Sequence, residues 1–112
     1  MKSKKQIIFE ALKVANCPVA YSDTVHETFP RINFSLIDNQ SLRLSDKRHN
    51  QRVVYQVDYF SQRALDVETN EVLLSIIESL EANKLITSDW REVLNIDVQR
   101  HLGIYHYFIE VQ

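Results

Sequence analysis

The run Arg-Val-Val-Tyr-Gln-Val-Asp-Tyr-Phe-Ser at residues 52–61 leaves the chain little conformational choice. Val53, Tyr55, Val57 and Tyr59 fall on one side of an extended backbone, and Val54, Gln56, Asp58 and Phe60 on the other. β-Branched and aromatic residues suit a pleated surface, and no Gly or Pro interrupts them. An inner strand follows, and the rest of the chain has to be built around it.

Upstream, Ile7, Ile8, Ala11, Leu12 and Ala15 recur at helical spacing within residues 3–15, with Lys4, Lys5, Glu10 and Lys13 mostly off that stripe. The pattern predicts an amphipathic helix closed by Asn16 and Pro18. Residues 19–29 read as a mixed connector in which Ser22, Asp23 and Thr24 begin a turn. Residues 31–38 alternate Ile32, Phe34 and Leu36 against Asn33 and Ser35, which predicts a strand with one wet face. Residues 39–51 are polar apart from Leu42 and Leu44, and at about thirteen residues make a long loop for a compact domain.

Downstream of the central strand, Asp66 is placed to cap a helix whose stripe is Leu73, Ile76, Ile77 and Leu80, ending near Asn83. Leu74 projects to the polar side with Glu78 and Glu81, as a scattered surface residue or a partner contact. Residues 90–98 and 104–111 alternate as two more strands, with a turn around Gly103. The order is αββαββ. It predicts a single α+β domain over residues 1–112: one mainly antiparallel four-stranded sheet with both helices on one face.

Composition narrows the function. A chain of 112 residues buries roughly two thirds of its unfolded surface, enough for a core. Its formal charge of -2 offers no whole-domain field for nucleic acid or an anionic membrane. No apolar run approaches the ~20 residues that span a bilayer, and the N-terminal pattern lacks a secretory h-region, so folding in the cytoplasm is expected. Cys17 is the sole cysteine, which fits a reduced compartment and excludes an internal disulfide. One Gly and two Pro leave no phosphate-cradling loop.

Catalytic constellations are not evident. His26, His49, His101 and His106 lack the i, i+4 helical spacing of metal ligands. Cys17 has no neighbouring His in sequence, and no Gly-x-Ser-x-Gly elbow occurs. The carboxylate pairs Glu78 with Glu81 and Asp66 with Glu68 read as solvated helix positions. No enzyme, cofactor or metal is expected.

Two features point to partners. The segment around Tyr105, His106, Tyr107 and Phe108 faintly parallels the aromatic strand of RNA-recognition sheets. It lacks the leading basic-Gly pair, and its tyrosines equally suit a core or a subunit seam. Arg43, Lys47, Arg48, His49 and Arg52 form a basic cluster, either a solvated loop tip or an arm that orders against a partner subunit or passing DNA. These five, with Leu74, are the candidate partner-contact residues.

The layout as a whole resembles a known family. An N-terminal helix ends in Asn16-x-Pro18, Phe29-Pro30-Arg31-Ile32 opens a strand, and a long polar loop follows. Val53-x-Tyr55-x-Val57-Asp58-Tyr59-Phe60-Ser61 then runs into a helix, before a closing strand pair around Gly103. Over nearly all 112 residues this is similar to the small tail-terminator, or tail-to-head joining, minor tail proteins of long-tailed bacteriophages and prophages. The resemblance implies a structural virion-assembly protein at the head–tail junction, made in the bacterial host cytoplasm. It implies self-association into a hexameric ring that caps the tail tube protein and docks the head-completion or connector protein, with no cofactor and no membrane. Residues 39–51 would then face a partner or the ring lumen. The alternative, from a different class, is a small nucleic-acid-binding module using the basic loop 43–52 and the C-terminal aromatic strand.

Overall fold

The computed structural model describes residues 2–22, 28–44, 47–97 and 102–112, with the backbone alone described at 40–44, 47–51, 95–97 and 102. It is an α+β structure with two helices and a five-stranded mixed sheet. The elements are α1 (Lys4–Leu12), a 3-10 turn (Lys13–Ala15), β1 (Val19–Tyr21), β2 (Arg31–Leu44), β3 (Lys47–Ser61), α2 (Glu71–Ala82), β4 (Arg91–Asp97) and β5 (Leu102–Val111). The spatial order is β1-β2-β3-β5-β4, so the central run is flanked on both sides.

Helix α1 starts because Ser3 and Gln6 satisfy each other's free backbone donors: the Ser3 hydroxyl accepts from Gln6 N–H and the Gln6 amide oxygen from Ser3 N–H. The 3-10 turn that continues it past Leu12 stops at Asn16, in the left-handed region at φ 53°, where the sequence led one to expect the helical segment to close. Helix α2 is capped by Asn70, whose side-chain oxygen accepts from Val72 and Leu73 N–H. Asp66, the expected cap, instead accepts from Glu68 N–H and opens the turn before the helix. Both side chains can cap; the backbone reaches a helical path only at the second.

Both helices lie on one face of the sheet. Ile8, Ala11 and Leu12 of α1 and Leu73, Ile76 and Leu80 of α2 bury against Ile32, Phe34, Tyr55, Val57, Tyr59, Tyr107, Ile109 and Val111. In register, Phe34, Val57 and Ile109 form one rung across three strands, and Ile32, Tyr59 and Tyr107 the next. The helices are tied together where Ser79 Oγ donates to Ala11 O at 2.9 Å.

Several expectations are corrected. The sheet has five strands, because residues 19–21 pair in parallel with Ile32, Asn33 and Phe34. Three residues are too few to show an alternation. Residues 39–51 are not a loop: β2 and β3 continue as an antiparallel pair through Asn39↔Val53, Gln40↔Arg52, Leu42↔His49 and Leu44↔Lys47. Register shifts interrupt it between Leu36 and Asp38 and between Gln40 and Leu42. Residues 39–51 carry no apolar alternation in the sequence, so the segment resembled a loop. Leu36 keeps the register of Ile32 and Phe34, opposite Tyr55, but lies beyond the last β1 partner and is exposed rather than joining them in the core. Gly103 belongs to β5, opposite Ile96. The rest of the expected turn, at 99–101, lies outside the described residues, as do Asp23 and Thr24.

Two substitutions probe this account. Val57→Asp sets a carboxylate into the helix-covered rung, a cost of several kcal/mol against a total of about 5 to 15, so the variant should lack a cooperative thermal transition. Asn70→Ala should cost about 1 kcal/mol and lower Tm by roughly 4–8 °C, read by circular dichroism.

Candidate functional site

The β2–β3 ribbon is the largest feature outside the helix-covered body. β5 pairs with β3 only from Tyr55 to Ser61, and β1 with β2 only from Ile32 to Phe34. From Tyr55 to Lys47 the ribbon therefore continues for about 25 Å at the usual rise of a strand. The molecule measures 56 × 28 × 22 Å as a result. At the ribbon's base, Lys4 Nζ of α1 donates to Val53 O at 3.4 Å, and Arg52 Nε donates to Gln112 Oε1 at 3.0 Å.

Of the candidate contact residues, Arg43, Lys47, Arg48 and His49 thus sit on paired strands toward the ribbon tip, with side chains outside the description. Arg52 marks the ribbon base. Leu74 lies elsewhere. It lines a cleft of about 330 Å³ between α2 and the segment leading into β4, with Val67, Ile77 and Trp90 as its other apolar walls. Trp90 holds that segment to the helix by donating its indole N–H to Leu73 O at 3.1 Å. Glu68, Glu81 and Asp89 supply the acidic lining, and no Lys or Arg lines the cleft among the described residues.

The uncovered sheet face carries a cluster that the sequence reading missed. One rung across β2, β3, β5 and β4 holds Arg31, Phe60, His106 and Val93; the next holds Asn33, Asp58, Phe108 and Arg91. The Arg31 guanidinium lies 4.1 Å from the Phe60 ring centre, and His106 stacks on Phe60 at 4.6 Å with planes 16° apart. Asp58 is only 6% exposed although it is on this face. Its Oδ1 receives His106 Nε2 at 2.6 Å and Gln56 Nε2 at 2.8 Å, so the buried carboxylate is satisfied. The signal for it was a lone carboxylate in an apolar strand. Its partner lies 48 residues away and is brought alongside only by the β3–β5 register.

Of the aromatic strand, Tyr107 is fully buried on the helix side, where its hydroxyl accepts from Leu65 N–H at 2.6 Å and donates to Leu65 O at 3.2 Å. Burial raises its pKa, opposed by the Leu65 hydrogen bond. Tyr105 packs against the same core, leaving His106 and Phe108 as the aromatic side chains turned outward. Cys17 is half-buried, and burial pushes its thiol pKa up. Asp58 and His106 line none of three surface clefts of roughly 300 Å³, and among the described residues no three His, Cys, Asp or Glu gather as a metal site. Among the described residues no helix is long and apolar enough to cross a membrane.

No family model and no curated protein matches the chain.

His106→Ala should remove the nearest partner of a buried carboxylate and destabilise the fold by about 1–3 kcal/mol in urea unfolding, whereas exposed Glu110→Ala should stay within about 0.5. Cys17 titrates higher in the folded chain than unfolded. The stability this reflects is intact below the thiol's ordinary pKa and lost as pH rises through the folded value. At about pH 8 iodoacetamide should accordingly label native Cys17 more slowly than the urea-unfolded chain.

Proposed function

We propose that this protein is a structural subunit of the tail-terminator, or tail-to-head joining, type. It caps a bacteriophage or prophage tail tube as a hexameric ring and presents the surface that docks the head connector. The observation that carries the reading is the β2–β3 ribbon, which continues about 25 Å past its last pairing with β5 and, among the described side chains, contributes none beyond Val53 to the core. A two-stranded ribbon projecting past the rest of the sheet is costly for a monomer, since ordering each residue costs about 1–2 kcal/mol of backbone entropy. A neighbour that the ribbon contacts offsets that cost.

The sheet edges support the same reading. β1 covers β2 only as far as Phe34, so beyond it the outer edge of β2 is open among the described residues. β4 ends the sheet on the other side with Val93 and Leu94 exposed. An open edge and a projecting arm on different sides of one chain suit a heterologous contact, and such contacts close into rings when repeated. The element order and the Val53–Ser61 motif add the family resemblance.

Arg31, Phe60, His106 and Phe108 favour a second reading, a single-stranded nucleic-acid platform, because bases stack on exposed rings. It is the weaker one. Tyr107 is committed to the core, and the Asp58 carboxylate stands in the middle of the platform.

Negative-stain microscopy and native mass spectrometry of the protein mixed with tail tubes should show rings on tube ends, and tubes assembled without it should overgrow. Tubes that end normally in its absence, with no bound protein, contradict the assignment. Lys47→Ser with Arg48→Ser should abolish capping while leaving Tm within about 2 °C. Retention of single-stranded nucleic acid that falls steeply with salt, without any tube binding, would favour the second reading.

A further inference from the structure

We propose that the ring contact is made by the basic ribbon of one copy seated in the acidic cleft beside α2 of the next. This inference rests on the assembly reading above and names its two surfaces.

The cleft has the composition of a docking groove. Its floor is apolar, from Val67, Leu74, Ile77 and Trp90, and Leu74 is 40% exposed at its wall. Glu68, Glu81 and Asp89 are all exposed around that floor. Carboxylates beside an apolar floor select a segment that brings both apolar side chains and positive charge. In this chain that composition occurs in the ribbon, where Leu42 and Leu44 are interspersed with Arg43, Lys47 and Arg48.

The ribbon's register supplies a second, independent observation. Arg43 stands directly opposite Arg48, and Leu44 opposite Lys47. Like-charged residues at facing positions of an antiparallel pair destabilise it. An anionic partner removes that penalty. A ribbon disfavoured alone and stabilised by docking is an assembly element rather than a structural one.

The contact joins different copies. Thr87, which lines the cleft, bridges to Val111, and Val111 pairs with Tyr55, where the ribbon leaves the body. The ribbon tip is therefore about 25 Å beyond the level of its own cleft, and pairing holds it extended. Tip and cleft meet only when a second molecule is offset along the ribbon, a head-to-tail arrangement. Leu74 and the basic cluster thereby become the two sides of one interface. DNA is a poorer occupant, because phosphate offers nothing to Leu42 and Leu44 and a duplex does not enter an acidic cleft.

Charge reversal tests it. Glu68→Lys with Glu81→Lys reverses the cleft at two exposed positions, and Lys47→Glu with Arg48→Glu reverses the ribbon; circular dichroism and Tm should be unchanged. In sedimentation velocity with tail tubes present, each reversed protein alone should assemble at least about tenfold more weakly than the unmodified chain. An equimolar mixture of the two should regain assembly, because each ribbon then faces a complementary cleft. Assembly of the unmodified chain should also weaken as salt rises from about 50 to 500 mM. Reversed proteins that assemble as well as the unmodified chain overturn the docking and leave the ring standing. Ribbon reversal that abolishes only salt-dependent DNA retention also overturns it, in favour of a nucleic-acid role for the arm. An unmodified chain that remains monomeric on tubes overturns the docking together with the ring.

Discussion

Burial of the rung Phe34, Val57 and Ile109 beneath two helices is the interaction on which the rest of the molecule depends. Each removes most of its side chain from water, worth about 1.5–3 kcal/mol apiece for residues of this kind. Ile8 and Leu12 from one helix and Leu73, Ile76 and Leu80 from the other complete the layer. Because β3 is paired on both sides, fixing its inward face fixes the register of β2 and β5, and through β5 that of β4. A one-residue slip would turn Val57 outward and Asp58 into the core. The position of every surface feature follows from that register.

The core accounts for one face and one stretch of the sheet only. On the opposite face, side chains cover one another: Arg31 lies over Phe60, Phe60 stacks on His106, and His106 joins Gln56 in satisfying Asp58. This lets an unhelixed face stay half-buried without a second layer. Past Tyr55 and Phe34 neither β5 nor β1 accompanies the ribbon, which continues as a two-stranded pair, marginal alone in water. Its like-charged rung lowers its stability further. The molecule thus joins a helix-backed body to a two-stranded arm.

What could be read beforehand follows the same division. The helices at residues 4–12 and 71–82 and the inner strand were legible because their apolar residues repeat at the period of a buried face. β1 was not, since three residues carry no period. The ribbon was read as a loop because residues 39–51 carry no apolar alternation to detect. The basic residues of the arm stand in the sequence itself, and Leu74 was visible as an apolar residue on a polar helix side. The cleft that gives Leu74 a context was hidden, because Val67, Leu74, Thr87 and Trp90 come together only in the fold. Asp58 and His106 were hidden for the same reason: their meeting depends on a pairing 48 residues apart.

Hydrogen–deuterium exchange across the chain, free and mixed with tail tubes, tests most directly whether the arm exists for assembly. Amides at 55–61, held on both sides, should exchange slowly in both states. Those at 36–44 and 47–54 should exchange fast in the free protein and become protected on the tubes. Equal exchange of the ribbon in both states would contradict the account.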